Sequence, residues 1–496
     1  MSKYILAIDQ GTTSTRAILF DRAGAIVGVT QKELTLDYPH NGWVEQNPED
    51  IWQDTQYVCR GVVSRFTGGI DDIIAIGITN QRETTIVWDR ITGEVIAPAI
   101  VWQDRRTADI CQRLREAGHS DTFQSRTGLL LDPYFSGTKL AWILDNVAGA
   151  RERAENGELA FGTVDSFLLW RLTGGAVHAT DITNASRTLM YNIVTQEWDE
   201  ELLRILDIPR SLLPEVYDNA VTFGTTFKEF LGKPVAVTGM AGDQQAALIG
   251  QACFKSGMVK STYGTGCFAL MNIGGEFKAS KNRLLTTVAY RINGQIAYAV
   301  EGSIFVAGAT VQWLRDGLGI ITSAAETEGI VKNVPDNGGV YLVPAFTGLG
   351  APYWRPDARG LISGLTRGAT AAHLVRAGLE AQAYQTQDLM AAMADDAGHD
   401  IAEIRVDGGM VKNDWICQFI TDITRKTVVR PQVVETTALG AAYLAGLTAG
   451  VFGSLDDIAA AWREQHAFTP QMDGFAASQL YGGWQVAVKQ ALAGCE

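Results

Sequence analysis

Short apolar runs ending in Gly, Thr or Asp turns alternate with long stretches in which apolar residues recur every three or four positions, such as Pro48 to Phe66 and Ala369 to Ala397. That rhythm predicts an α/β protein. Two segments share one form: Tyr4 to Phe20 (YILAIDQGTTSTRAILF) and Met258 to Asn272 (MVKSTYGTGCFALMN) each read as strand, Gly/Thr turn, strand. A weaker echo pairs Ile73 to Asp89 with Ile404 to Phe419, where apolar strands run into polar turns. The echoes predict two similarly built halves, residues 1–252 and 253–496, with the boundary near Gly250 to Gly257. The uncharged stretch Thr436 to Leu455, rich in Gly, Ala and Val, reads as a close-packed buried helix and not as a membrane span.

With 496 residues, 46% of them hydrophobic and 19% charged, the chain can bury large cores. Its 41 basic and 55 acidic residues give a formal charge of −14. A field of that sign repels phosphate backbones and anionic lipid heads, so neither nucleic acid nor a membrane surface is expected as a partner. Cys59, Cys111, Cys253, Cys267, Cys417 and Cys495 are scattered with no CxxC pair, which argues against a disulfide framework or zinc ribbon and fits a reducing cytoplasm. The first apolar stretch, Tyr4 to Ile8, is cut by Asp9 and lacks the apolar length of a signal peptide. The six histidines have no ligand-type spacing.

Candidate chemistry begins in the first turn. There a buried strand delivers Asp9 into backbone N–H groups and the hydroxyls of Thr12, Thr13 and Ser14, with Gly11 allowing close approach and Arg16 supplying positive charge. Such a turn suits phosphate, and Asp9 could hold a water of a Mg²⁺ shell. Taken alone, the same residues also make a hairpin whose hydroxyls satisfy turn backbone. The second turn, Gly264-Thr265-Gly266-Cys267-Phe268-Ala269, matches a dinucleotide fingerprint, but Phe268 to Ile273 continues as a strand where that fingerprint needs a helix. No GxxxxGK[ST] occurs, so two Gly/Thr hairpins, one per half, would grip a polyphosphate from both sides. Asp243 follows a strand and precedes the small helix Ala246 to Gly250, a position that suits either a helix cap or a base aimed at a substrate hydroxyl. Arg82 and Glu83 offer a donor fork beside an acceptor, or a surface ion pair. Asp407-Gly408-Gly409 follows a strand and opens a helix, where a flat or anionic ligand could approach the backbone. Gly308 and Gln312 share a helix face that suits a purine or simply close packing.

Together these stretches resemble the FGGY family of carbohydrate kinases, and within it the branch acting on glycerol. The resemblance is carried by DQGTTSTRA from Asp9, ITNQRETT from Ile78, YFSGTKLAWILDN from Tyr134, GMAGDQQAA from Gly239, STYGTGCF from Ser261, EGSIFVAGATVQWLRD from Glu301 and DGGMVKN from Asp407. It implies an actin-like ATPase fold, two ribonuclease-H-like domains with a cleft between them. It further implies that Arg82, Glu83, Tyr134, Asp243 and Gln244 hold glycerol hydroxyls while Trp102 and Phe268 line its carbon side. Thr12, Thr13, Ser14, Arg16, Thr265, Gly308, Gln312, Gly409 and Asn413 would contact Mg-ATP. Asp9 and Asp243 would orient the metal waters, and Asp243 would accept the proton of the attacking hydroxyl. The expected assembly is a homodimer or homotetramer without a membrane span. A kinase for a pentulose, or a nucleotide-dependent chaperone or filament protein on the same fold, are the competing readings. Gly378 stands where the family carries a side chain and is expected to soften its helix. Some relatives bind fructose bisphosphate through a loop with Lys and Arg; here Phe223 to Pro234 has no Arg, so little such inhibition is expected.

Overall fold

The structure, a computed structural model, describes residues 3–494. It holds two large sheets. In the first, strands run in the spatial order Gly224–Thr225, Ala236–Gly242, Ile73–Asn80, Tyr4–Gln10, Ser14–Phe20, Ile26–Glu33. The last three form an antiparallel meander, and Ile73–Asn80 and Ala236–Gly242 add to Tyr4–Gln10 in parallel. The second sheet runs Leu285–Ile292, Gln295–Ile304, Cys267–Gly274, Met258–Tyr263, Glu403–Asp407, Val428–Pro431, Glu464–Phe468. Its central strands repeat the plan: a hairpin from Met258–Tyr263 into Cys267–Gly274, then Glu403–Asp407 and Val428–Pro431 added in parallel. Each sheet therefore carries the same meander followed by two parallel strands, the ribonuclease-H-like core, and the pair makes an actin-like ATPase fold. The weaker sequence echo has its counterpart here, since Ile73–Asn80 and Glu403–Asp407 hold equivalent places.

Local chemistry explains the flanking helices. Helix Pro48–Arg65 opens with Asn47, whose Oδ1 accepts from Glu49 N at 3.1 Å, and with Pro48 at its first position. It buries Ile51, Trp52, Val58 and Val62 against the meander of the first sheet, each contributing about 2 kcal/mol. The segment 223–234 is a packing device: Phe230 stacks on Trp52 with ring centroids 6.0 Å apart, and Lys233 pairs with Asp71 at 3.3 Å.

Between the sheets two helices cross. Asp243–Gly250, leaving the first sheet, packs on strands of the second, while Thr436–Thr448, leaving the second, packs on Tyr4–Gln10, Ile73–Asn80 and Ala236–Gly242 of the first. The crossing is so close that a Cβ on Gly440 would lie 1.8 Å from the Ala246 carbonyl oxygen, and one on Gly250 would lie 1.9 Å from that of Thr436. Only glycine fits at either place.

Two readings need correction, and Gly378 has a packing role beside its expected softening of the helix. The buried helix expected over Thr436 to Leu455 ends at Thr448, because the chain turns at Gly450 (φ 71°) and Leu455 opens a separate helix, Leu455–Ala461. Gly378 does not interrupt helix Ala371–Ala397; a Cβ there would meet Leu314 Cδ1 at 3.0 Å, so the missing side chain admits the neighbouring helix Gly308–Asp316. Arg82 and Glu83 are no surface pair: they are 2% and 1% exposed. Among the described residues five cysteines are free and buried, and Cys495 lies outside them. No helix of the described residues is long and apolar enough to cross a membrane.

Candidate active site

Parallel strands that share one direction also share one carboxyl edge, and the register brings three strand ends of the first sheet together there. Asp9 lies beside Thr79, and Asn80 beside Gly242, so Asp9, the turn Gln81-Arg82-Glu83 and Asp243 open onto the same side. In the second sheet Thr262 lies beside Asp407, which puts Gly264-Thr265 and Gly408-Gly409 at the equivalent edge. Ligands of α/β sheets collect at such edges.

On the first edge the groups are charged and fixed. Asp9 is 4% exposed and receives Arg16 Nη2 at 2.5 Å, while Arg16 Nη1 reaches Glu435 at 2.5 Å. Burial raises the Asp9 carboxyl; Arg16 opposes that shift and the like charge of Asp243 adds to it. Asp243 is the first residue of its helix and not the cap, which is Gly242. Its Oδ1 accepts from Gln244 N at 2.7 Å and lies 3.2 Å from Arg82 Nε. Arg82 is saturated: Nη1 donates to Gln245 Oε1 at 3.2 Å and Glu301 Oε2 at 2.6 Å, and Nη2 to Glu301 Oε1 at 3.1 Å and Tyr134 Oη at 3.4 Å. Glu83 Oε1 accepts from Arg187 Nε at 2.6 Å. Burial raises the Glu83 carboxyl against the pull of Arg82 and Arg187. Glu301 goes the other way; burial alone would raise it, but Arg187 and Arg82 outweigh burial and hold it at about 2.

Aromatic rings close one side. Trp102 lies edge-on to Tyr134 at 5.5 Å and to Phe268 at 6.5 Å, so a residue from each half meets there. Trp102 Nε1 also donates to Thr12 Oγ1 at 2.9 Å, tying the aromatic wall to the first turn. Gln244 Oε1 accepts from Lys260 Nζ across the two halves.

The second edge is built of main chain. Thr265 and Gly264 are exposed, and their carbonyls accept from the start of helix Gly308–Asp316: Ala307 N and Ala309 N to Thr265 O at 2.9 and 3.0 Å, Gly308 N to Gly264 O at 3.0 Å. A Cβ on Gly308 would lie 2.5 Å from Gly264 O and 3.5 Å from Met410 Sδ, so Gly308 serves the close approach of three segments. Gln312 is exposed on the same helix. Gly409 faces open space, and Asn413 caps helix Asp414–Thr424 by accepting from Ile416 N at 3.2 Å. Thr265, Gly308 and Gly409 thus come together, and so do Asp9, Arg16, Arg82, Glu83, Tyr134 and Asp243, with Trp102 linking the latter group to Thr12.

Four buried charged groups here are not among the residues that the sequence points to: Lys139, Arg187, Lys260 and Glu301, none more than 2% exposed. Lys139, Lys260 and Glu301 each sit in or beside a matched segment, but a charge inside an apolar strand or helix shows its partner only in three dimensions.

The donor set suits a hard divalent cation. Asp9 and Asp243 are carboxylates close enough for each to feel the other's charge, on an edge beside phosphate-type turns.

Comparison with known proteins adds to this geometry. Residues 4–250 match the family model of the FGGY family of carbohydrate kinases, N-terminal domain, and residues 259–449 that of its C-terminal domain. The glycerol kinase of Nitrosomonas eutropha is 60% identical over 488 residues, covering 98% of both chains. Glycerol kinase 1 of Pseudomonas aeruginosa is 61% identical over 490 residues, covering 99% of both. Among solved structures, Plasmodium falciparum glycerol kinase with ADP superposes with a TM-score of 0.95 at 36% identity, covering 99% of this chain and 98% of that one. A xylulose kinase from Lactobacillus acidophilus shares the fold with a TM-score of 0.89 at 22% identity, covering 99% and 98%.

Proposed function

The chain belongs to the FGGY family of carbohydrate kinases, and from that premise we propose that it phosphorylates glycerol to glycerol 3-phosphate with ATP, by in-line transfer with Asp243 as base. One observation carries the choice of substrate: the Trp102, Tyr134 and Phe268 rings wall one side of a polar cluster in which buried Arg82 and Glu83 stand beside half-buried Asp243, a shape suited to a short carbon chain with a hydroxyl on each carbon.

In this reading Arg82, Glu83, Tyr134, Asp243 and Gln244 bind the hydroxyls. A guanidinium has five N–H donors, and Arg82 already has an acceptor for each. Its contact to Tyr134, at 3.4 Å, is the longest and is the one a substrate hydroxyl replaces. Asp243 stays oriented by Arg82 and by Gln244 N while it receives the proton. Thr12, Thr13, Ser14, Arg16, Thr265, Gly308, Gln312, Gly409 and Asn413 receive ATP, the first four at its phosphates and Gly308 and Gln312 at its base. Asp9 and Asp243 hold Mg²⁺ through water, and the ion supplies neutralisation of phosphate charge. In the loose transition state of phosphoryl transfer, orientation and charge placement dominate. Units 1–252 and 253–496 close over the pair and exclude water. The same reading gives a cytoplasmic homodimer or homotetramer.

A polyol and pentulose panel with Mg-ATP tests it. Glycerol is expected to lead in kcat/KM; a pentulose better by about tenfold, or 1.4 kcal/mol of discrimination, overturns the assignment.

A further inference from the structure

Glu83 holds a backbone conformation that side chains with a Cβ rarely adopt, φ 63°, at a position 1% exposed. Such strain persists only where surrounding groups over-determine it, and it concentrates where function needs a fixed geometry. Here the groups are specific. Ser136 Oγ donates to the Glu83 carbonyl at 3.0 Å, and Lys139 Nζ donates to the Tyr134 carbonyl at 2.5 Å while lying 3.5 Å from that of Glu83. Arg187 holds the other end of the residue, donating from Nε to Glu83 Oε1 at 2.6 Å and from Nη2 to Glu301 Oε1 at 2.9 Å, with its guanidinium over the rings of Tyr134 and Phe135 at 5.6 and 5.2 Å.

Ser136, Lys139 and Arg187 are each 0% exposed. A buried ammonium is costly, and an apolar side chain of like volume generally serves stability as well or better. Burial lowers the Lys139 ammonium to about 7, although Glu83, Asp104, Asp132 and Cys111 all favour its charge. Its acceptors are the main-chain carbonyls of Glu83 and Tyr134, two residues from separate loops that the proposed function assigns to the same substrate. A lysine joining those two carbonyls fixes the distance between the loops.

We infer that Ser136, Lys139 and Arg187 are positioning residues: they lock the left-handed Glu83 turn against the Tyr134 loop and so set the spacing of the hydroxyl-binding edge of the polyol pocket. The inference rests on the glycerol reading above. Removing one member loosens the edge without touching the nucleotide turns, so the loss falls on polyol affinity.

Ser136→Ala and Lys139→Met, assayed at steady state with each substrate varied, test this. Lys139→Met is expected to raise the glycerol KM about tenfold and Ser136→Ala about fourfold, with the ATP KM within about twofold. The lock is overturned if glycerol KM in the soluble variants stays within about twofold of the parent, or if both KM values rise in step, as general loosening of the fold predicts. Should Lys139→Met fail to fold, Ser136→Ala decides by the same criteria, because it removes one hydroxyl and leaves the cation in place. Parent turnover is measured first: no glycerol turnover by the parent sinks the substrate reading and the lock with it, whereas parent turnover with unmoved variants sinks the lock alone.

Discussion

The two strand, turn, strand hairpins share a backbone plan and differ in how they are held. The first, around Gly11, is braced by side chains: Trp102 donates to Thr12 Oγ1, Gln46 Nε2 to Thr12 O at 2.7 Å, Gln81 Nε2 to Gly11 O at 3.3 Å, and Arg16 lies against buried Asp9. The second, around Thr265, is braced by main-chain N–H groups of Ala307, Gly308 and Ala309. A surface made of fixed charges is damaged by removing a side chain; one made of main chain is damaged by adding one. In the proposed function the fixed charges on the first edge, Arg82, Glu83 and Asp243, serve the polyol and the main-chain turn around Thr265 and Gly308 serves the nucleotide, so this polyol edge and this nucleotide edge should fail under opposite kinds of substitution, and that contrast can be broken experimentally.

Asp243→Asn has the largest expected effect. Its amide oxygen can still accept from Gln244 N, and helix capping is not at stake because Gly242 holds the cap position, so a loss cannot be assigned to the helix. Turnover should fall about 10³-fold with ADP affinity unchanged in calorimetry. Turnover within about threefold of the parent would remove the base role and leave this edge with binding groups only.

Arg82→Ala comes next, with glycerol kcat/KM expected to fall about 10²-fold and the ATP KM to stay within about threefold. The change also leaves Glu301 facing Arg187 alone in a buried site, so melting is recorded beside the kinetics. Equal rises in both KM values would place Arg82 at the contact between halves instead of at the substrate.

How much of this was legible in the sequence follows the same division. The nucleotide edge reads well because Gly and Thr at turns announce a local backbone shape, and local shape is what a linear pattern encodes. Both hairpins, the strand continuing from Phe268, and the turn after Glu403–Asp407 stand where the pattern put them. The polyol edge reads only in part. Arg82, Glu83 and Asp243 are visible as candidates, but the burial of Arg82 and Glu83 is not, since the charges that neutralise those two come from Glu301 and Arg187, 219 and 104 positions away from the residues they pair with. Lys139 lies in the matched segment from Tyr134, but its acceptors are main-chain carbonyls that no residue pattern announces. The cap reading of Asp243 fails by one position, because the choice between the cap and the first helical position is a matter of one residue's dihedral angles.

Gly308→Ala probes the other edge by addition. The new Cβ would lie 2.5 Å from Gly264 O, so either the helix start or the second turn must shift. The ATP KM should rise about tenfold while the glycerol KM stays within about twofold, the reverse of the Arg82 pattern. A matching rise in the glycerol KM would show that the two edges are not separable.

The smallest effect expected is on stability and not on turnover, and it asks whether the polyol edge carries its acidity as a burden. Beneath that edge Asn80, the residue before Gln81, donates to Asp165 Oδ1 at 3.4 Å and to Asn184 Oδ1 at 3.1 Å, and Asn184 donates in turn to Asp181 at 2.6 Å. Asp165 and Asp181 are both 0% exposed, and burial first, then the charge of Asp181, raises the Asp165 carboxyl. A carboxyl raised in the folded state keeps its proton there over a pH range in which the unfolded chain has released it. The stability this group contributes is therefore full below its unfolded value near 3.8 and is lost as pH climbs through the folded value, about 7. An amide in place of the Asp165 carboxyl would imitate the protonated acid at every pH, with the Thr163 and Thr180 hydroxyls free to turn toward it. Asp165→Asn should thus melt about 3 °C above the parent at pH 8 and within about 1 °C of it at pH 4, with kcat/KM for both substrates within about twofold. A gap that is constant across this range would mean that the pair is neutralised by some other group, and a gap that widens toward low pH would mean that Asp165 is held ionised by its threonine donors, making the polyol edge rest on a fixed negative charge.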